Sequence, residues 1–326
     1  MIARILSVFE PFILMLLGTV LLASLMPARG GFAHGVAIVA DAGIVALFFL
    51  HGAKLSREAI AAGLRAWQLH IAVLAVTFGL FPLLGLGLSR VSILSPPIAL
   101  GVLFLTLLPS TVQSSIAFTA IARGNVAAAV CSASFSNLLG IVVTPALVAV
   151  LMHATSGVSL GSAWAIVGQL LLPFVAGHVL RPWIGAFVAR QKRLLTVVDR
   201  GSILLVVYSA FGAAVVEGLW QTVSPFDLAT IALICCGLLT VVLGATLMLG
   251  RAMALPRADA VVLLFCGSKK SLASGVPMAG VLFPAAQVGA ILLPVMLFHQ
   301  IQLIACAVIA RRYGDAAPEG TPGHTR

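Results

Sequence analysis

Long apolar runs separated by short polar connections recur along the whole chain. Each run has about 20 residues, enough for a helix to cross a hydrocarbon core about 30 Å thick. A barrel strand would instead alternate apolar and polar positions, which these runs do not. The pattern therefore predicts an all-α polytopic membrane protein with ten transmembrane helices. The predicted spans are 9–27, 34–52, 67–89, 97–120, 126–152, 162–186, 197–219, 226–250, 257–284 and 286–310.

Two of these spans are interrupted by polar residues, the fourth around 109–115 and the ninth around 267–275. Both breaks occupy the fourth span of a five-span half, because the chain divides into residues 1–155 and 156–312. Five spans per half reverse the direction of entry, so the halves are predicted to be inverted repeats. Matching broken helices that cross near the bilayer centre are typical of a transporter's binding site. Residues 313–326 are predicted to form a disordered cytoplasmic tail.

Composition supports the membrane class and gives an orientation. Hydrophobic residues make up 61% of the chain and charged residues 9%, against about 25% charged in soluble domains. Fifteen basic residues fall on one side of the predicted membrane and two, Arg29 and Arg90, on the other. Since basic loops stay inside, both termini are predicted to be cytoplasmic, in a bacterial inner membrane. The basic residues lie scattered in short loops, so the expected partner is the lipid bilayer and no nucleic acid.

The second break carries Ser268, Lys269, Lys270 and Ser271 within an apolar span. A lysine at bilayer depth costs roughly 2.5–3.5 kcal/mol, so a pair survives only where protein or water surrounds it. Such a lysine can hold an anionic substrate, pair with a carboxylate or titrate. The alternative is a structural pair that extends towards an interface. Asp41 is the acidic residue near the middle of a span and the natural partner for a lysine, unless it is hydrogen-bonded locally or exposed to water.

The first break and its neighbours offer mainly oxygen atoms. Pro109 removes a backbone donor and frees carbonyl groups, and hydroxyl and amide oxygens suit a hard cation. The alternative is that the serines and threonines bond to their own helices or ease close packing. In the fifth span, some of the serines and Asn137 are expected to point towards the break. His299 in the tenth span is a structural hydrogen bonder or a proton carrier.

At these residues the chain resembles the bile acid:sodium symporter superfamily, specifically its cotransporter-7-like branch. The matching strings are FFLHGAKLS at 48–56, QSSIAF at 113–118, ARGNV at 122–126 and the segment 265–280. The resemblance covers about residues 8–312. It implies ten helices in two inverted five-helix repeats, forming a panel domain and a core domain. It also implies that the fourth and ninth helices are unwound where they cross, beside the ion and substrate sites.

The resemblance further implies where sodium ligands should lie. Ser114 and Ser115 stand nearest to the serine and asparagine that the bile-acid branch has at the fourth-helix crossover. The third-helix glutamine of that branch matches Thr77. Its fifth-helix hydroxyls fall close to Ser132 and Ser134, outside the strict register.

The ninth helix departs from the family pattern. The glutamate shared by both sodium sites aligns with Ser268, and the following glutamine aligns with Leu272. Hard cations prefer anionic oxygen, so a site without its carboxylate loses much of its affinity. One expectation is a sodium ion at Ser114, Ser115 and Ser268. The other is that a lysine ammonium takes the electrostatic place of sodium, which would permit proton coupling or uncoupled transport.

The leading hypothesis is a secondary transporter of a small organic anion that works by alternating access and is not an enzyme. Sodium or a proton would be the coupling ion, with no other cofactor. The alternative is a non-transporting membrane regulator or scaffold that retains the transporter fold. The sequence leaves substrate identity, direction and oligomeric state open. The candidate substrate- and ion-binding residues are Gln113, Ser114, Ser115, Ser268, Lys269, Lys270, Ser271, Thr77, Ser132, Ser134, Asn137, Asp41 and His299.

Overall fold

The computed structural model describes residues 11–54, 66–90, 94–156 and 160–316. Within these ranges the regular elements are helices, and no strand occurs. The helices are α1 (Pro11–Leu25), α2 (Gly30–Lys54), α3 (Trp67–Ala75), α4 (Phe81–Leu88), α5 (Pro96–Leu107), α6 (Gln113–Ile121), α7 (Val126–Ser156), α8 (Leu160–Arg190), α9 (Lys192–Val216), α10 (Leu219–Thr222), α11 (Pro225–Ala252), α12 (Arg257–Gly267), α13 (Leu272–Leu282) and α14 (Ala285–Asp315).

Seven helical stretches of the described residues are long and apolar enough to cross a membrane. Each of the ten predicted spans coincides with a helix, with the α3–α4 stretch or with a pair of half-helices. The half-helices α5, α6, α12 and α13 have only 12, 9, 11 and 11 residues, so none qualifies by length. Helix α14 continues to Asp315, past the predicted start of the tail at 313. Residues 317–326 of that predicted tail lie outside the described residues.

Large apolar side chains are exposed on the surface of this protein, whereas two lysines are fully buried. On α11, Leu233 is 75% exposed and Met248 is 70% exposed, whereas Lys269 and Lys270 are 0% and 1% exposed. Soluble proteins show the reverse arrangement, with lysine almost never fully buried. Lipid as the surrounding solvent explains both observations. The fold is therefore that of an integral, multi-pass membrane protein.

The helices form two compact units, and neither unit corresponds to one half of the chain. In their described parts, the first comprises Met1–Leu55, His153–Ser224 and Val276–Leu292, and the second comprises Ser56–Met152, Pro225–Gly275 and Leu293–Arg326. Each unit thus takes segments from both 1–155 and 156–312. Helices α13 and α14 run from one unit into the other.

In the first unit, α2 and α8 approach closely through two glycines. A Cβ atom on Gly52 would overlap the carbonyl of Phe174, and one on Gly177 would overlap the carbonyl of Phe49. Small residues allow helix backbones to approach within a membrane, where packing replaces the hydrophobic effect. Asp41 also belongs to this unit, and its side chain is exposed.

In the second unit, α3 and α4 are joined by a π-helical turn, Val76–Leu80, which the sequence did not predict. The N–H of Phe81 bonds to the carbonyl of Val76, five residues earlier, so the Thr77 carbonyl loses its usual donor. The following residue, Pro82, has no N–H to offer. The Thr77 carbonyl is therefore left for a partner outside its own helix.

The polar breaks are shorter than the sequence predicted. The first lies between α5 and α6, at residues 108–112, and the second between α12 and α13, at residues 268–271. Gln113, Ser114 and Ser115 consequently belong to the first turn of α6. In the second break, Ser271 Oγ accepts the N–H of Ser274 at 3.1 Å, an N-cap that restarts the helix early.

Candidate ion and substrate site

The two breaks contact each other within the second unit. The N–H of Ser271 donates to the carbonyl of Pro109 at 2.8 Å. In the opposite direction, Ser110 Oγ donates to the carbonyl of Cys266 at 2.6 Å, at the end of α12. Each break therefore satisfies backbone groups that the other leaves without helical partners.

The ammonium of Lys270 lies within a cage of three backbone carbonyls. Its Nζ donates to the oxygens of Thr77 at 2.7 Å, Thr106 at 2.8 Å and Leu108 at 2.7 Å. An ammonium has three N–H donors and a neutral amine has two, so the charged form satisfies all three acceptors. Nζ also lies 4.1 Å from the centroid of the Phe81 ring, within cation–π distance.

Local features of the backbone leave the carbonyls of Thr77 and Thr106 without their usual helical donors. The Thr77 carbonyl is free because of the π-helical turn and Pro82, as described above. At the end of α5, Pro109 has no N–H, and the N–H of Ser110 donates to Ser136 Oγ at 2.9 Å instead of to Thr106. The negative end of the α5 dipole also points at this position, which favours a cation.

Side chains of α7 satisfy two further carbonyls at and beside the first break. The Leu107 carbonyl accepts from Thr144 Oγ1 at 2.8 Å. The Ser110 carbonyl accepts from Asn137 Nδ2 at 2.6 Å. Asn137 Oδ1 accepts in turn from Ser274 Oγ at 2.7 Å, so this one amide connects the first break to α13.

The side-chain amide of Gln302 forms hydrogen bonds with both the N–H and the carbonyl of Lys270. Its Oε1 accepts the Lys270 N–H and its Nε2 donates to the Lys270 carbonyl, both at 2.9 Å. The same Nε2 lies 2.9 Å from Nδ1 of His299. With the amide in this orientation, Nδ1 of His299 accepts, which places the imidazole proton on Nε2. His299 therefore contacts the amide that holds the backbone of Lys270.

Lys269 lacks the hydrogen bonds that Lys270 makes. Its ammonium is buried and has no hydrogen-bond partner. It lies 3.9 Å from the ring centroid of Phe118 and 5.4 Å from that of Phe265. Among the described residues, no carboxylate makes an ion pair with either lysine, and Asp41 belongs to the other unit. A buried cation without an acceptor is costly, so Lys269 is the lysine with donors available to a ligand.

Several of the predicted hydroxyls bond to backbone groups. Ser115 Oγ donates to the carbonyl of Phe265 at 3.1 Å, which links α6 to α12. Ser268 Oγ donates to the carbonyl of Leu264 in its own helix. Ser114 Oγ pairs with Thr111 Oγ1 at 3.2 Å.

Other predicted residues lie away from the lysine contacts. Ser132 pairs with Nδ1 of His70 at 2.6 Å, and Gln113 is exposed. Ser134 is half-buried, with no hydrogen bond to either break. Asn137, by contrast, does reach the break, as expected for the fifth span. The side chain of Thr77 bonds to Val73 at 2.8 Å, and its carbonyl makes the contact with Lys270.

Several residues that contact the two breaks are not among the predicted binding residues. Gln302 lies one helical turn after His299 and Ser136 lies beside Asn137, so both belong to polar patches that are visible in the sequence. The carbonyls of Thr106 and Leu108 carry no side-chain signal, because every residue has a carbonyl. The omitted residues are Thr106, Leu108, Ser110, Ser136, Thr144 and Gln302.

Two interrupted helices whose unwound segments lie together are typical of membrane transporters. A model of the SBF-like CPA transporter family matches residues 10–315, and the chain belongs to this family. The resemblance to the bile acid:sodium symporter superfamily is thereby confirmed, and the family is one of transporters and not of enzymes.

Similar proteins occur in bacteria and in vertebrates. PA2026, an uncharacterized protein of Pseudomonas aeruginosa, is 54% identical over 308 residues, 93% of this chain and 92% of its own length. YfeH of Escherichia coli strain K12, provisionally named a symporter, is 50% identical over 313 residues, 95% of this chain and 94% of its own length. Sodium/bile acid cotransporter 7 of Danio rerio is 27% identical over 320 residues, 92% of each chain.

Proposed function

We propose that this protein is a secondary transporter of a small organic anion, working by alternating access in a bacterial inner membrane. The observation that carries the proposal is the buried pair Lys269 and Lys270 at the paired breaks, without a carboxylate in contact among the described residues. Positive charge that the protein itself does not neutralise favours an anionic ligand. The transporter family, with relatives named as a symporter and as sodium/bile acid cotransporters, supports the transport class.

Within the pair, Lys269 is the proposed anion contact. The donors of Lys270 are used by carbonyls, whereas those of Lys269 are free. Lys269 lies between α6 and α12, the half-helices whose ends meet at the breaks. Relative movement of such half-helices would expose the ammonium to one side of the membrane at a time.

The proposed architecture is ten helices in two inverted five-helix repeats, residues 1–155 and 156–312, with both termini cytoplasmic. Two observations support it. Each half has one interrupted span, its fourth, and the two interruptions bond to each other. Each compact unit also combines segments from both halves, as panel and core domains of an inverted repeat would.

Uptake into proteoliposomes tests the proposal. The purified chain is reconstituted and offered a panel of labelled carboxylates, sulfonates and sulfate esters, each with a sodium gradient, a proton gradient or neither. We expect gradient-dependent accumulation of at least one anion, and the effective gradient identifies the coupling ion as sodium or a proton.

Two variants make the uptake experiment specific. Lys269→Met keeps the side-chain volume and should lose most uptake. Met248→Leu changes a lipid-exposed position and should keep it. If the wild type accumulates no anion under any gradient, and both variants fold and behave as it does, the regulator or scaffold function replaces transport.

A further inference from the structure

We propose that Lys270 is a tethered cation, whose ammonium permanently fills a monovalent-cation site built from the carbonyls of Thr77, Thr106 and Leu108. One oxygen comes from the π-helical turn, and the other two come from the end of α5 and the start of the first break. Converging carbonyl oxygens are how proteins replace the hydration shell of a monovalent ion. The site exists independently of any substrate.

The cage is built by the backbone and not by the lysine. Pro82 lacks the N–H that the π-helical register would direct to Thr77, and Ser136 takes the N–H of Ser110 that would otherwise reach Thr106. Leu108 lies beyond the end of α5, at the start of the first break. Without the Lys270 ammonium, three buried carbonyl oxygens would lose their donors, which native structures avoid. The cage therefore needs a group that can serve three oxygens at once, and an ammonium with its three N–H groups does so.

Because Lys270 is part of the chain, its ammonium outcompetes free cations for the carbonyl cage. Gln302 holds the backbone N–H and carbonyl of Lys270 at 2.9 Å each, so the chain delivers the ammonium to the cage at a high effective concentration. A free sodium ion in the cage would have to displace a cation that cannot leave. If the proposed transport function is correct, no sodium ion crosses the membrane through this site, and any coupling ion uses another.

Removing the tethered ammonium should convert the cage into a site for a free cation. In Lys270→Ala the lost atoms, Cγ to Nζ, have the composition and length of n-propylammonium. The experiment measures the melting temperature of the purified, full-length protein in detergent, with increasing n-propylammonium, sodium or choline chloride at constant ionic strength. Choline is the control, because its quaternary nitrogen has no N–H donor.

We expect Lys270→Ala to melt several degrees below the wild type and to recover part of that loss with n-propylammonium but not with choline. Recovery with sodium as well would show that the cage also accepts a bare metal cation. The wild type and Lys270→Met should respond equally to all three salts. The proposal is overturned if folded Lys270→Ala does not distinguish n-propylammonium from choline, or if the wild type shows the same selective gain.

If Lys270→Ala does not fold, Lys270→Met still tests whether the cage needs the ammonium. It fills the volume without supplying a cation, so a melting temperature equal to that of the wild type would show that the cage needs none. These melting measurements use no anion and no membrane gradient. A failure here therefore leaves anion transport standing, and a failure of uptake leaves the tethered cation standing.

Discussion

Lys269→Met and Lys270→Met remove the same ammonium group from adjacent, fully buried positions and keep a side chain of similar length. The aromatic surroundings are also matched. Lys269 has ring centroids at 3.9 and 5.4 Å, and Lys270 has them at 4.1 and 5.9 Å. The relief of desolvation and the loss of cation–π attraction should therefore be similar in both variants and should largely cancel in a comparison.

The difference that remains is the three hydrogen bonds of Lys270. A hydrogen bond to a charged group contributes roughly 1.5–3 kcal/mol, so three contribute roughly 5–9 kcal/mol if they add. Because such terms add incompletely, we expect Lys270→Met to be less stable than Lys269→Met by at least about 3 kcal/mol. Lys269→Met should be as stable as the wild type or more so, since it removes an unpartnered buried charge.

Thermal unfolding in detergent, followed by a thiol-reactive dye or by light scattering, measures the difference. A gap of this size corresponds to a separation of several degrees between the two variants. The double variant should be at least as stable as Lys270→Met. Equal melting temperatures for the two single variants, or a lower one for Lys269→Met, would refute the assignment of the hydrogen-bonded cage to Lys270.

Two further changes test the supports of the site. Gln302→Leu removes both hydrogen bonds to the Lys270 backbone and should cost about 2–4 kcal/mol in a denaturation assay, and an unchanged stability would contradict the proposed support. Gly140→Ala should lower the melting temperature because a Cβ atom there would lie 2.7 Å from the rigid Pro109 ring. Gly237→Ala, at a helical glycine with open space, is the matched control and should be neutral or stabilising by up to about 1 kcal/mol. If both glycine variants behave alike, the close packing on Pro109 is not important for stability.

The sequence predicted where the two breaks lie, but not how long they are or what contacts Lys270. The positions of both breaks followed from polar residues in apolar runs, because a lysine is too costly in lipid to be incidental. Their lengths did not follow, since an N-cap such as the one made by Ser271 depends on where the backbone turns. Asp41 was the expected partner for a lysine because it is the acidic residue near the middle of a predicted span. The donors of Lys270 are instead used by carbonyls, which no inventory of side chains can reveal.

The sequence by itself determined the membrane class, the helical spans, the two breaks and the family. These properties depend on hydrophobicity and local motifs, which are read along the chain. Only the tertiary structure distinguished the two lysines, because their environments come from segments far apart in sequence. Thr77 and Thr106 lie 193 and 164 residues from Lys270, and the freedom of their carbonyls depends on a π-helical turn and on bonds made elsewhere. Adjacent, identical side chains therefore have different proposed roles, one as a fixed cation and one as an anion contact.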